Sequence, residues 1–191
     1  FGDTVGTGAL TLSGSGTLSA NTTVSTVRNL ELSGLLGGAY KLTKSGSANL
    51  TLSGTGSFNS LEVTAGSVIV SGGAAIDDLA AVNVGSLGSL TLSADETVGS
   101  IEGAGSIALG TRTLTVATGA SKIFSGTIST TGGVGAGSLT LSAGTLTLTG
   151  SNSYKGTTTV SNGATLQVGD GSALGTSTLM LQGGSKFSSD L

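Results

Sequence analysis

The chain has 191 residues and a net charge of −3, and only 9% of its residues are charged, against about 25% in a typical globular domain. It has no cysteine, no histidine and only 7 basic residues, which excludes disulfide scaffolds and thiolate metal sites and argues against nucleic-acid binding. Because 37% of the residues are hydrophobic, we expect the chain to fold rather than to remain disordered.

One short pattern recurs along the chain: an apolar residue, any residue, an apolar residue and then a small residue. In chain order it reads LTLSG at 10–14, LELSG at 30–34, LTLSG at 50–54, LEVTA at 61–65, VIVSG at 68–72, LTLSA at 90–94, LTVAT at 114–118, LTLSA at 139–143, LTLTG at 146–150, LQVGD at 166–170 and LMLQG at 179–183. Alternation with period two predicts half-buried strands. The 35 glycines disfavour helices, and the absence of proline suits strands that are paired on both edges.

The spacing between copies predicts how these strands stack. The copies at 10, 30 and 50 are 20 residues apart, other long steps are 22, 24 and 25 residues, and the steps 61 to 68 and 139 to 146 are 7. Long steps predict equivalent strands in successive coils, and short steps predict a corner between two sides of one coil. The predicted fold is all-β, a right-handed parallel β-helix (β-solenoid) of about 20 residues per coil and about 9 coils, roughly 45 Å long. An antiparallel sandwich is the alternative.

The pattern runs through the whole chain, so residues 1–191 are predicted to form a single β-solenoid segment. No capping sequence is evident at either end, although the ends of a solenoid must be capped or continued. We therefore expect the chain to be a fragment of a longer protein.

Residues 144–175 carry a longer motif. Leu146 to Leu148 form the strand pattern, followed by Gly150, Asn152, Tyr154, Gly156 to Thr158, Gly163, Leu166, Val168, Gly169 and Gly171. This run resembles the autotransporter-associated β-strand repeat of bacterial type V secreted passenger domains. Residues 90–119 and 122–150 are similar to such passengers in style, whereas residues 1–89 share the strand pattern without the longer motif.

The resemblance implies an extracellular or cell-surface protein, associated with the outer membrane only through a translocator barrel that this chain lacks. It also implies that the repeat is structural, and it carries over no catalytic residue. A host-cell, matrix or self-association partner is expected.

Chemistry-bearing residues are sparse, and we expect no enzyme, cofactor or metal. Without histidine or cysteine, the usual general base and thiol nucleophile are absent. The acidic residues are Asp3, Glu31, Glu62, Asp77, Asp78, Asp95, Glu96, Glu102, Asp170 and Asp190. We predict solvated corners for the pairs Asp77–Asp78 and Asp95–Glu96, a turn rather than a calcium site for Asp170, and interior stacking for the phenylalanines.

Three functions remain open at this point. The first is a structural or adhesive rod, an autotransporter passenger or adhesin stalk. The second is a self-assembling extracellular fibre or matrix subunit that docks end to end through the unpaired strand edges of its terminal coils. The third, a remote alternative, is a polysaccharide-active β-helix enzyme that uses a pair of carboxylates.

Overall fold

The computed structural model describes residues 9–117, 119–130 and 136–189. All regular structure in these residues is β-strand. The strands are β1 Leu10–Leu12, β2 Gly16–Thr17, β3 Thr22–Ser25, β4 Leu30–Leu32, β5 Leu36–Ser45, β6 Leu50–Leu52, β7 Gly56–Val70, β8 Ala81–Leu92, β9 Glu96–Val98, β10 Ser100–Gly103, β11 Ser106–Ala108, β12 Thr113–Val116, β13 Ser121–Phe124, β14 Thr127–Ser129, β15 Ser138–Leu141, β16 Thr145–Leu148, β17 Thr157–Val160, β18 Thr165–Val168, β19 Thr178–Leu181 and β20 Lys186–Ser189.

The strand pairing confirms the β-solenoid and rules out the sandwich, because all strand pairs in the described residues are parallel. Leu10 pairs with Leu30, Leu30 with Leu50 and Leu50 with Val68. About nine coils stack in this way, roughly 20 residues apart. The predicted 20-residue period is therefore the coil.

Each coil has three sides, which we number in the order in which the chain visits them. Side one contains β1, β4, β6, the ends of β7 and β8, β11 and β14. Side two contains β2, the starts of β5 and β7, and the separate sheet β9-β12-β15-β17-β19. Side three contains β3, the end of β5, the middle of β7, the start of β8, β10, β13, β16, β18 and β20.

The two short steps in the sequence turn corners, as predicted. Residues 61–63 lie on side three and 68–70 on side one, whereas 139–141 lie on side two and 146–148 on side three. One long step was assigned wrongly. Leu90 pairs with Ile107 on side one, and Leu114 pairs with Glu96 and Leu139 on side two, so the 24-residue step joins different sides.

Alternating side chains fill the interior. In β6, Leu50 and Leu52 are buried while Thr51 between them is partly exposed. Phe58 and Phe124 are fully buried, which confirms interior stacking for them, but Phe187 is 40% exposed and Phe1 lies outside the described residues. The core is one continuous apolar column.

Glycine allows the coils to approach closely at one corner. A Cβ atom on Gly34 would overlap the carbonyl oxygen of Gly14, and one on Gly54 would overlap that of Gly34. No larger residue fits there without moving the backbone of the neighbouring coil. The Leu-x-Leu-Ser-Gly pattern therefore combines an inward-facing strand with a corner that requires glycine.

Candidate functional site

Within the described residues, the outer surface carries two ion pairs between adjacent coils. Lys41 Nζ lies 2.6 Å from Glu62 Oε2, and Lys122 Nζ lies 2.8 Å from Glu102 Oε2. All four side chains are partly exposed, and such surface pairs contribute at most about 1 kcal/mol each. These pairs hold neighbouring coils together and do not form a site for chemistry.

The acidic corners differ from one another. Asp77 Oδ1 accepts a hydrogen bond from the Leu79 amide at 2.8 Å, and Asp95 Oδ1 accepts one from the Thr113 amide at 2.9 Å. Asp170 Oδ1 accepts from the Ser172 amide at 2.7 Å, which confirms the predicted turn. Asp3 and Asp190 lie outside the described residues.

Glu96 contradicts the prediction of a solvated corner. It is only 2% exposed, because the alternation of β9 points it inward together with Val98. Its Oε1 accepts the Ile76 amide at 3.0 Å, whereas its Oε2 is buried without a hydrogen-bond partner. Burial, and to a smaller extent the Asp78 carboxylate, raise the pKa of Glu96 to about 7, against the hydrogen bonds from the Ile76 and Ala75 backbone.

A shallow depression of about 500 Å³ lies beside this corner. It is lined by Gly56, Ala74, Ile76, Asp77, Asp78 and Leu79. Within the described residues, no three or more aspartate, glutamate, histidine or cysteine side chains form a group that could hold a metal ion. The depression therefore offers an acidic rim without a metal-binding set.

Lys44 is a second charged group inside the coil. It occupies an inward position of side three, where Val24 and Val63 are its register partners, and it is fully buried. Its Nζ donates to the carbonyl oxygens of Ser45 at 2.9 Å, Gly46 at 2.8 Å and Ala65 at 2.9 Å. Burial lowers the pKa of Lys44. Three backbone carbonyls satisfy its three donors, so Lys44 fastens the corner between two coils.

The Asn-x-Tyr part of the longer motif is also buried. Asn152 Oδ1 accepts the Ile128 amide at 2.6 Å, and Asn152 Nδ2 donates to the Ala173 carbonyl oxygen at 2.5 Å. These two partners belong to the preceding and the following coil. Side one has no strand at residues 151–154, although the amides of Asn152 and Ser153 still donate to the carbonyl oxygens of Ser172 and Ile128. The Asn152 side chain adds two further hydrogen bonds between the same coils.

Tyr154 continues this polar interior. Its hydroxyl lies 2.7 Å from Thr158 Oγ1, which lies 2.7 Å from Ser177 Oγ, and Ser177 donates to the Leu174 carbonyl oxygen at 2.8 Å. Burial raises the pKa of Tyr154, with the hydroxyls of Thr158 and Ser177 acting against this rise. The motif residues thus join two coils by hydrogen bonds, which is a structural role.

Four of the five strands in the separate side-two sheet carry threonine at the same outward position, and the fifth carries Met180 there. Register places Thr97, Thr115, Thr140 and Thr159 above one another, each pointing outward between two buried residues. This column presents uncharged hydroxyl and methyl groups on the outer face of the sheet. It was not recognised from the sequence, because the strands of side two could not be separated from those of the other sides.

The described part of the chain contains no helix with the length and hydropathy needed to span a bilayer. A family model described as the passenger-associated-transport-repeat matches twice, at residues 42–74 and 142–168. The second match overlaps the motif at 144–175, and the first lies where sequence analysis found only the strand pattern. Searches of curated proteins and of solved structures returned no match. The chain is therefore a β-solenoid that carries two copies of the repeat found in autotransporter passengers.

Proposed function

We propose that this chain is a rod segment of a surface-displayed or secreted bacterial passenger, and that it serves as an adhesive stalk. The observation that carries the proposal is that the strands of both matched repeats pair in parallel with strands of the neighbouring coils. The first match, residues 42–74, begins on side three of one coil and ends two coils later, in the turn that follows side one. The second match, residues 142–168, contains β16, β17 and β18. Repeats that pair only with neighbouring coils extend a rod without changing its cross-section.

Display on cells tests the surface location. The chain is fused between a signal sequence and an outer-membrane translocator domain, and intact cells are probed with an antibody to an epitope at the outer end. We expect the epitope to be accessible and to be removed by an external protease. Retention of the whole fusion inside the cell would contradict the proposal.

Electron microscopy of the purified chain tests the rod and separates it from the fibre. We expect short rods of uniform length at all concentrations, roughly 45 Å for nine coils at about 4.8 Å each. Filaments that lengthen with concentration would favour the self-assembling fibre, which is our second candidate because each coil docks on the next through parallel strand bonds. Round particles would contradict both.

We place the adhesive contact on the threonine column of side two, Thr97, Thr115, Thr140 and Thr159. The support for this placement is that the four side chains are uncharged and belong to neither ion pair of the described residues, so a polar partner can contact them without displacing an ion pair. The measurement is retention of the chain on immobilised host-cell or matrix material. We expect Thr140→Lys to reduce retention and Thr51→Lys, an equally outward change on side one, to have no effect. Equal retention of the two variants would show that the adhesive contact does not lie on side two.

The polysaccharide-active enzyme is a remote alternative. It would require turnover of a polysaccharide that is lost when Asp77 or Asp95 is changed to alanine. Both carboxylates accept backbone amides of nearby corners, so their geometry favours a structural role.

A further inference from the structure

Side two is interrupted at one coil. Residues 71–80 form turns where the coils below and above carry the start of β7 and β9. The five-stranded sheet begins only at β9. On one edge, the Gly56 amide donates to the Ala74 carbonyl oxygen at 2.8 Å. On the other edge, the Ile76 amide donates to a side chain, that of Glu96.

Backbone bonds from Gly99 and Ser100 to the Ala80 carbonyl oxygen, at 2.8 and 3.4 Å, hold the end of the turn to the next coil. Glu96 is the side-chain link that holds the middle of the turn, at Ile76. Its Oε1 occupies the place at which a strand would offer a backbone carbonyl. Its Oε2 lies in the interior without a partner, among residues such as Ala75 and Ile76 that are themselves buried. An ionised carboxylate in this position loses hydration that the backbone amides of the turn do not fully replace, so its pKa stays raised.

The charged groups around Glu96 do not neutralise it. Asp77 and Asp78 face it from the turn, and Asp78 opposes its ionisation. Asp95 precedes it on the same coil and accepts the Thr113 amide. On the next coil, Arg112 precedes β12, the strand that pairs with β9, and is exposed. Neither of the ion pairs in the described residues includes Glu96.

We propose that Glu96 is a proton-controlled latch that holds the turn of residues 71–80 on the coil that follows. The protonated side chain stays buried and keeps the turn in place. Ionisation draws the carboxylate toward water and breaks its hydrogen bond with the Ile76 amide. The middle of the turn, which lines the adjoining depression, is then free to move away from the next coil. The rod would thus have one joint that loosens as the pH rises through neutrality, independently of what the rod binds.

Hydrogen exchange of the purified chain tests the latch. Peptides covering residues 71–80 are followed at about pH 5.5 and about pH 8.5, with rates corrected for the intrinsic pH dependence of exchange. Because the pKa of Glu96 is about 7 in the closed state and 4.5 in a solvated carboxyl, we expect protection of these amides to fall about thirtyfold between the two conditions. Peptides on side three should show no comparable change.

Two variants and a control make the test specific. Glu96→Gln keeps an acceptor for the Ile76 amide and cannot ionise, so protection should no longer depend on pH. Asp78→Asn removes the nearby carboxylate that helps to raise the pKa of Glu96, so the fall in protection should be smaller and should be complete at a lower pH. Glu31→Gln, a partly exposed carboxylate on side one, should behave as the wild type. Equal protection of the wild type at both pH values, or an unchanged fall in Glu96→Gln, would overturn the proposal. Should Glu96→Gln unfold the turn at both pH values, Asp78→Asn decides: a smaller fall that ends at a lower pH supports the proposal, and an unchanged or larger fall overturns it.

Discussion

Asn152 offers the sharpest test of how the coils are held together. Its side chain is 6% exposed and joins three successive coils through Ile128 and Ala173. Replacement by alanine removes both bonds at once. The backbone amide of Ile128 and the carbonyl of Ala173 then lose their partners in the interior.

The expected loss in the free energy of unfolding follows from the two backbone groups that lose their hydrogen-bond partners. A buried donor or acceptor without a partner costs about 1–3 kcal/mol, so we expect Asn152→Ala to lower the free energy of unfolding by about 2–5 kcal/mol. Asn152→Asp keeps the acceptor for Ile128 but turns an oxygen toward the Ala173 carbonyl oxygen. We therefore expect it to destabilise the fold at neutral pH and to do so less in acid, where the carboxyl can donate.

Urea unfolding followed by circular dichroism measures these changes, and Asn59→Ala is the matched control. Asn59 is exposed and its Nδ2 makes one bond, to the Ala39 carbonyl oxygen at 3.0 Å. Its loss should cost less than about 1 kcal/mol, because water can replace the partner. Equal destabilisation by Asn152→Ala and Asn59→Ala would refute the conclusion that the two buried hydrogen bonds of the Asn152 side chain hold neighbouring coils together.

Three further predictions use the same unfolding measurement. Lys44→Met leaves three corner carbonyls without their donor and should destabilise the fold by about 2–4 kcal/mol. Burial lowers the pKa of Lys44 from 10.5, so the stability of the wild type should rise as the pH approaches 10.5. This rise should be absent in the variant. Gly54→Ala should destabilise the fold because its Cβ meets the backbone of Gly34, whereas Gly171→Ala, with open space around its Cβ, should be neutral or stabilising by up to about 1 kcal/mol. The raised pKa of Glu96 means that the folded state holds a proton between pH 4.5 and about 7 that the unfolded state has lost, so stability should fall across this window by about 3 kcal/mol and stay flat in Glu96→Gln.

The period of the solenoid could be predicted because apolar residues recur at matching positions. Leu10, Leu30 and Leu50 are register partners, as their 20-residue spacing indicates. The side of each strand was harder to predict. Ile107 stands between Ser106 and Ala108, so β11 lacks the Leu-x-Leu pattern and was passed over, and Leu90 was aligned with Leu114 instead.

The buried polar residues were missed for a different reason. Alternation from Val98 back to Glu96, and from Leu42 forward to Lys44, places both charges inward. The sequence thus contains the signal, but a charge in a strand pattern is more often a corner or an outward position. Only the neighbouring coil, which supplies the carbonyl or amide partners, shows that burial is tolerated.

These polar residues lie where the stack of strands is weakest. Asn152 lies where side one has no strand, Glu96 faces the turn that interrupts side two, and Lys44 fastens a corner between two coils. In the apolar columns, a slip by one whole coil would mostly replace one aliphatic side chain by another, since Leu50 already pairs with Val68 and Leu90 with Ile107. A slip would leave Asn152, Glu96 and Lys44 buried opposite groups that cannot bond them, at a cost of about 1–3 kcal/mol or more for each. The polar interior therefore sets which coil stacks on which, whereas the apolar interior supplies most of the stability without distinguishing one coil from the next.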